Sequence, residues 1–174
     1  PGDEKGHSLQ EKLKWLSRAE ASARRDRRIR QVRLTLGALD KKVAGVTPEG
    51  RFFSETREYA TFVVQVTAED GPRRQTGYEV TAIQGGWAAL SRTDPSVLAA
   101  RSADRALEKL LAPPAPLGER TVVLAAEAGG TLIHEAVGHS LEADHILDGS
   151  SPHFAHKIGK VVAGEKISVL DDPT

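Results

Sequence analysis

The chain has no cysteine and no methionine among its 174 residues. Without cysteine, a disulfide scaffold, a cysteine-ligated zinc finger and a catalytic thiol are excluded within these residues. Aromatic residues make up only 5%, and the two tryptophans, Trp15 and Trp87, read as core or interface anchors. An excess of either charge is also missing, since 24 Lys and Arg face 24 Asp and Glu. No globally electrostatic partner such as duplex DNA or an anionic membrane surface follows from that balance. No apolar run approaches the roughly 20 residues that span a bilayer, and the polar start is not a signal peptide. The expectation is a chain with no membrane and no nucleic-acid partner, its compartment left open by composition.

What is present, 39% hydrophobic and 28% charged residues, suits a soluble globular chain. The length fits one domain, or one domain plus part of another. A start at Pro1 with no methionine fits a piece trimmed from a longer chain.

The spacing predicts a helix over about 8–27, with Ser8 and Glu11 placed as a capping box and Leu9, Leu13 and Leu16 on one face. Period-two alternation at Val32, Leu34 and Leu36 then marks a strand. Further strand-like segments fall at 40–46, 51–58, 60–68 and 73–82, separated by the turn compositions Thr47-Pro48-Glu49-Gly50 and Glu69-Asp70-Gly71-Pro72. Their short spacing argues for an antiparallel meander. A second helix is predicted over Pro95–Leu111, capped by Thr93 or Asp94, with Ala103, Ala106, Leu107, Leu110 and Leu111 on its apolar face.

The proline-rich stretch 113–119 divides the chain into an α+β region over 1–112 and a motif segment over 120–174. In the second region Thr121–Ala126 reads as a buried strand, Gly129-Gly130 as a turn, residues 131–144 as a helix and Lys166–Leu170 as a last strand. The expected fold class is therefore α+β: a mostly antiparallel sheet packed by two helices, followed by a strand–Gly-Gly–helix segment.

Five of the six histidines lie between His134 and His156. Two of them frame His134-Glu135-Ala136-Val137-Gly138-His139, an HExxxH arrangement. In the familiar zinc-protease pattern the histidines are four apart, which puts both on one helical face beside a glutamate base. A spacing of five on a regular helix separates the imidazoles by about 140°. One metal can be shared only if the helix is locally widened. A π turn, with hydrogen bonds from i to i+5, restores a common face, and Gly138 lowers the cost of that distortion. Imidazole ligands favour a borderline metal such as zinc over magnesium. On this reading His134 and His139 are metal ligands and Glu135 is the general base for a metal-activated water. Two ordinary helix histidines and a solvated glutamate are the competing reading.

Other candidates carry less. The Arg24–Arg33 run, with Arg18 and Lys14, reads as a solvated helix end, and Arg73-Arg74 as a charged strand rim. Gly45–Arg51 lacks the Gly-Lys-Ser/Thr ending of a phosphate loop, and no serine sits in a nucleophile elbow.

The longer string Gly129-Gly130-Thr131-Leu132-Ile133-His134-Glu135-Ala136-Val137-Gly138-His139-Ser140-Leu141-Glu142-Ala143-Asp144 resembles the TldD/PmbA family of metallopeptidases, first named as modulators of DNA gyrase. Its TldD branch is marked by HEAVGH followed by Leu-Glu-Gly-Asp. Ser140 and Ala143 stand here where glycines are usual, while both histidines and the glutamate are intact. The resemblance covers most of 20–174 and is most specific over 120–145, so the chain looks like an internal slice of a longer member.

The resemblance implies a zinc-dependent peptidase acting on peptides or unfolded protein segments, paired with a homologous subunit as a hetero- or homodimer. It also implies His134 and His139 as ligands and Glu135 as base. The family's third ligand is a later cysteine, which this chain lacks. Glu142, Asp144, His145, Asp148, His153 and His156 have suitable chemistry to replace it, and their spacing selects none. His145, His153 and His156 read as loop residues, and the segment alone as an inactive half-site. A non-catalytic partner-binding module of the same fold is the alternative, with gyrase or nucleic-acid modulation behind it.

Overall fold

The computed structural model describes residues 8–170. These form two compact units, one ending at Ala115 and the next starting at Pro116.

The first unit is an α+β layer pair. Helix α1 spans Leu9–Ala23 and begins with the expected capping box: Ser8 Oγ accepts from Glu11 N–H, and Glu11 Oε2 accepts from Ser8 N–H. It stops four residues earlier than the basic run suggested. Asp26 takes over there, its carboxylate accepting from both the backbone N–H and the guanidinium of Arg28 and fixing a turn into the first strand. The side-chain bond from Arg28, then its N–H, hold that carboxyl far below the usual carboxylate range.

The buried face of α1 matches the leucine row only in part. Leu16 is half-buried against the core, Leu9 and Leu13 are exposed, and Trp15, Ala19 and Ala23 are the buried residues. Small residues at i and i+4 let α1 come close to the alanines of α3, which a leucine ridge would hold apart.

Strands β1 (Ile29–Val46), β2 (Phe52–Asp70) and β3 (Arg73–Gln84) form an antiparallel sheet in that order. The expected short segments are in fact continuous. Gly37 stays within the ladder opposite Thr61, and Tyr59 pairs with both Leu39 and Gln84. A glycine at neutral φ in a paired strand need not break it. The β2–β3 connection is the two-residue loop Gly71-Pro72, with Gly71 at φ 56°. Proline cannot take positive φ, so only the first loop residue does, which defines a type II′ hairpin.

Alternation on β2 sorts the sheet's faces. Ala60, Phe62, Val64, Val66 and Ala68 are buried under the helices, while Leu39, Tyr78 and Val80 on the opposite face are exposed. Beyond Tyr59 the sheet narrows to a two-stranded ribbon ending at the pair Val46 and Phe52.

After β3, Gly85 and Gly86 take positive φ and reverse the chain into α2 (Gly86–Leu90), a short helix that the periodicity does not reveal. It delivers Trp87 to the core. Trp15 meets Phe62 edge-on at 4.6 Å and Trp87 at 5.5 Å. Helix α3 spans Pro95–Leu111 as expected, with the Asp94 carboxylate accepting from Ser96 N–H at 3.0 Å. It crosses β3 at Gly77, where an added Cβ would lie 1.8 Å from the Ser102 carbonyl oxygen.

The second unit departs further from expectation. Thr121–Ala125 has no regular secondary structure and no strand partner among the described residues, and Val122 and Val123 are exposed. Lys166–Leu170 likewise forms no strand. A strand needs a neighbour for its backbone groups, and the described residues of this unit provide none. Gly129 and Gly130 are not a turn but lie inside helix α4 (Ala126–Ile133). The expected single helix over 131–144 is four pieces: α4, a π turn at His134–Gly138, a 3₁₀ turn at His139–Leu141 and helix α5 (Ala143–Leu147). No helix among the described residues is long and apolar enough to cross a membrane.

Candidate metal centre

The motif occupies the wide turn at the end of α4. The His139 N–H donates to the His134 carbonyl, an i to i+5 bond that joins the two histidine backbones directly. The turn removes the angular separation of a regular helix. The two imidazole centroids lie 4.5 Å apart with their planes at 70°. Gly138 is not what makes this possible sterically: it sits at φ −56°, ψ −59°, and an added Cβ would meet only the His134 ring, its Nδ1 at 3.5 Å, an ordinary contact.

His134, Glu135 and His139 each offer a ligand atom, and all three atoms lie within 4.8 Å of one another. The two imidazoles are donors that zinc accepts, so the residues fit that ion. All three side chains are exposed. Glu135 Oε2 stands 3.8 Å from His139 Nε2.

The other nitrogen of His139 has a closer neighbour. Its Nδ1 lies 2.7 Å from Glu142 Oε1, and this hydrogen bond raises the imidazole's pKa above its ordinary value, with the charges of Glu142 and then Glu135 adding to it. Glu142 was expected only as a possible ligand. The signal for its actual contact is the i, i+3 spacing from His139, because side chains at that spacing eclipse in a 3₁₀ turn.

The candidate replacements for a third ligand do not join the cluster. Glu142, Asp144 and His145 form a separate group of their own. Asp148 accepts from the Ser150 N–H at 2.8 Å, and the Ser150 bonds hold its carboxyl below the usual range. His153 and His156 belong to neither group, and His156 sits in a loop at φ 59°.

Comparison with known proteins gives the family. Residues 2–110 match the PmbA/TldA metallopeptidase central domain, and residues 117–174 match the PmbA/TldA metallopeptidase C-terminal domain. The chain belongs to the TldD/PmbA metallopeptidase family. A metalloprotease of Methanothermobacter thermautotrophicus is 33% identical over 136 residues, 78% of this chain and 30% of the relative. A metalloprotease TldD homolog of Buchnera aphidicola subsp. Acyrthosiphon pisum is 31% identical over 177 residues, 97% of this chain and 36% of the relative. The chain thus spans about a third of the length of these relatives. Among solved structures, a Thermotoga maritima protein described as a candidate modulator of a DNA gyrase superposes with a TM-score of 0.67. That match covers 90% of this chain and 35% of the other at 17% identity, and it is a likeness of fold alone.

Proposed function

We propose that this chain is part of a zinc-dependent peptidase that cleaves peptides or unfolded protein segments in the cytoplasm, with His134 and His139 as ligands and Glu135 as general base. The observation that carries the reading is the wide turn, which brings together two imidazoles that a regular helix would point apart. Membership of a metallopeptidase family supports it.

Zinc held by these donors supplies Lewis acidity, lowering the pKa of a water toward neutrality. The chain's own residues divide the remaining work. The His134 and His139 rings are set by the i to i+5 bond between their backbones. Glu135, next to one ligand in sequence and 3.8 Å from the other, takes a proton on its carboxylate. It then returns that proton to the departing amine of the cleaved peptide.

The proposal includes a homologous subunit as partner, tested by the solution mass of the intact protein. For the chemistry, Glu135→Gln in the intact protein retains its zinc and loses cleavage of an unfolded peptide by about 10²-fold or more. Wild-type cleavage in that variant would overturn the assigned base. A wild-type protein without zinc would favour the non-catalytic module instead.

A further inference from the structure

We infer that Glu142 is the positioning residue of the site: through Nδ1 of His139 it fixes the tautomer and ring orientation of that imidazole and keeps Nε2 as the nitrogen bearing the lone pair. The purpose of this device rests on the zinc reading above, while its geometry stands independently.

The two nitrogens of His139 meet different neighbours. Nδ1 lies 2.7 Å from Glu142 Oε1, a short hydrogen bond. Nε2 lies 3.8 Å from Glu135 Oε2, beyond hydrogen-bonding reach. An ionised carboxylate only accepts, so the nitrogen facing Glu142 carries the proton. In the neutral ring the other nitrogen then holds the lone pair. Carboxylates orient metal-ligating histidines in this way, fixing the tautomer and raising the ligand's basicity.

Glu142 is itself held in place. It leaves the helical region at φ −60°, ψ 135°, and its N–H donates to the His139 carbonyl at 3.3 Å. That turn places the carboxylate beside the His139 ring. Its other oxygen, Oε2, lies 3.6 Å from His145 Nε2, and His145 Nδ1 lies 2.9 Å from Ser150 Oγ. Ser151, next in sequence, donates from Oγ to the Ser140 carbonyl at 2.6 Å and from its N–H to the His145 carbonyl at 3.0 Å. The loop after α5 is thus tied back to the turn that carries His139. Glu142 contributes no atom to the His134–Glu135–His139 cluster, which separates this role from ligation.

The test is nitrogen NMR of the side chains in the intact protein labelled with ¹⁵N at histidine, at about pH 9 where imidazoles are neutral, with zinc titration of the same samples. In the metal-free wild type, His139 shows the Nδ1–H form. Glu142→Ala moves it toward the Nε2–H form and weakens zinc binding by about 10–100-fold. Glu142→Gln, whose amide oxygen still accepts, restores most of both. Glu142 is half-exposed, so neither change threatens the fold. An unchanged tautomer in Glu142→Ala overturns the inference, whether or not zinc affinity falls. A tautomer shift in a protein that takes up no zinc supports the bond and overturns the zinc reading instead.

Discussion

The two units are stabilised by different means. Every buried apolar side chain among the described residues lies at or before Leu110. Past Pro116 most large apolar side chains stay in solvent, with Val123 96% and Leu117 91% exposed, Val137, Ile146 and Phe154 are half-buried, and the buried residue among those described is Ser151. The first unit rests on area removed from water, worth about 25 cal/mol per Å². The second rests on local turns and hydrogen bonds, each worth about 1 kcal/mol net. The His134–Glu135–His139 cluster sits in the second.

Both tryptophans belong to the first unit, so their fluorescence reports on it alone. The largest effect expected there comes from Phe62→Ala. Phe62 is fully buried against Trp15, and its loss costs about 3–5 kcal/mol in urea unfolding followed by fluorescence. Hydrogen exchange over 126–141 stays unchanged in that variant. A parallel loss of protection there would show the two units to be one cooperative block.

Zinc should do the converse. At a hundredfold excess over its Kd it adds about 2.7 kcal/mol of protection to the motif turn, and it leaves the urea midpoint of the first unit unmoved. His134→Ala removes the effect.

Gly77→Ala is next. Its Cβ would collide with the Ser102 carbonyl, parting β3 from α3 at a cost of roughly 1–3 kcal/mol by the same fluorescence measurement.

Acid gives a smaller, graded effect on the first unit. The Asp94 carboxyl, bonded first to Ser96 N–H and then to its hydroxyl, lies below its ordinary pKa, as does that of Asp26. A depressed folded pKa contributes its stability in full above the unfolded value, near pH 4, and loses it as pH falls through the folded value. The urea midpoint therefore declines below about pH 4, and Asp94→Asn, which still accepts from Ser96, flattens that decline. The smallest effect is Gly138→Ala. It changes protection of the motif turn by no more than about 0.5 kcal/mol, since the backbone there is helical and the space is adequate.

The same contrast explains what the sequence revealed. In the first unit, local chemistry was decisive at the Ser8–Glu11 box, at Asp94-Pro95 and at the Gly71-Pro72 loop, and these were legible. The alanine face of α1 was not, because helix contacts selected small residues over the leucine row. Continuity of β1 through Gly37 was hidden too, since a partner strand supplied what glycine lacks in propensity. In the second unit, Thr121–Ala126 has strand composition but no strand to pair with, and Gly129-Gly130 joined a helix that their propensities disfavour. The motif turn was legible because histidines five apart share a face only on a widened helix. The Glu142 contact was not, because it depends on a 3₁₀ turn following at once.

The most direct test of the site is X-ray absorption at the zinc edge on the intact protein. The account predicts one zinc per chain with two imidazole nitrogens among its ligands at about 2.0–2.1 Å, and loss of one nitrogen in either His134→Ala or His139→Ala. Zinc bound with no imidazole, or a spectrum unchanged in both variants, would contradict it.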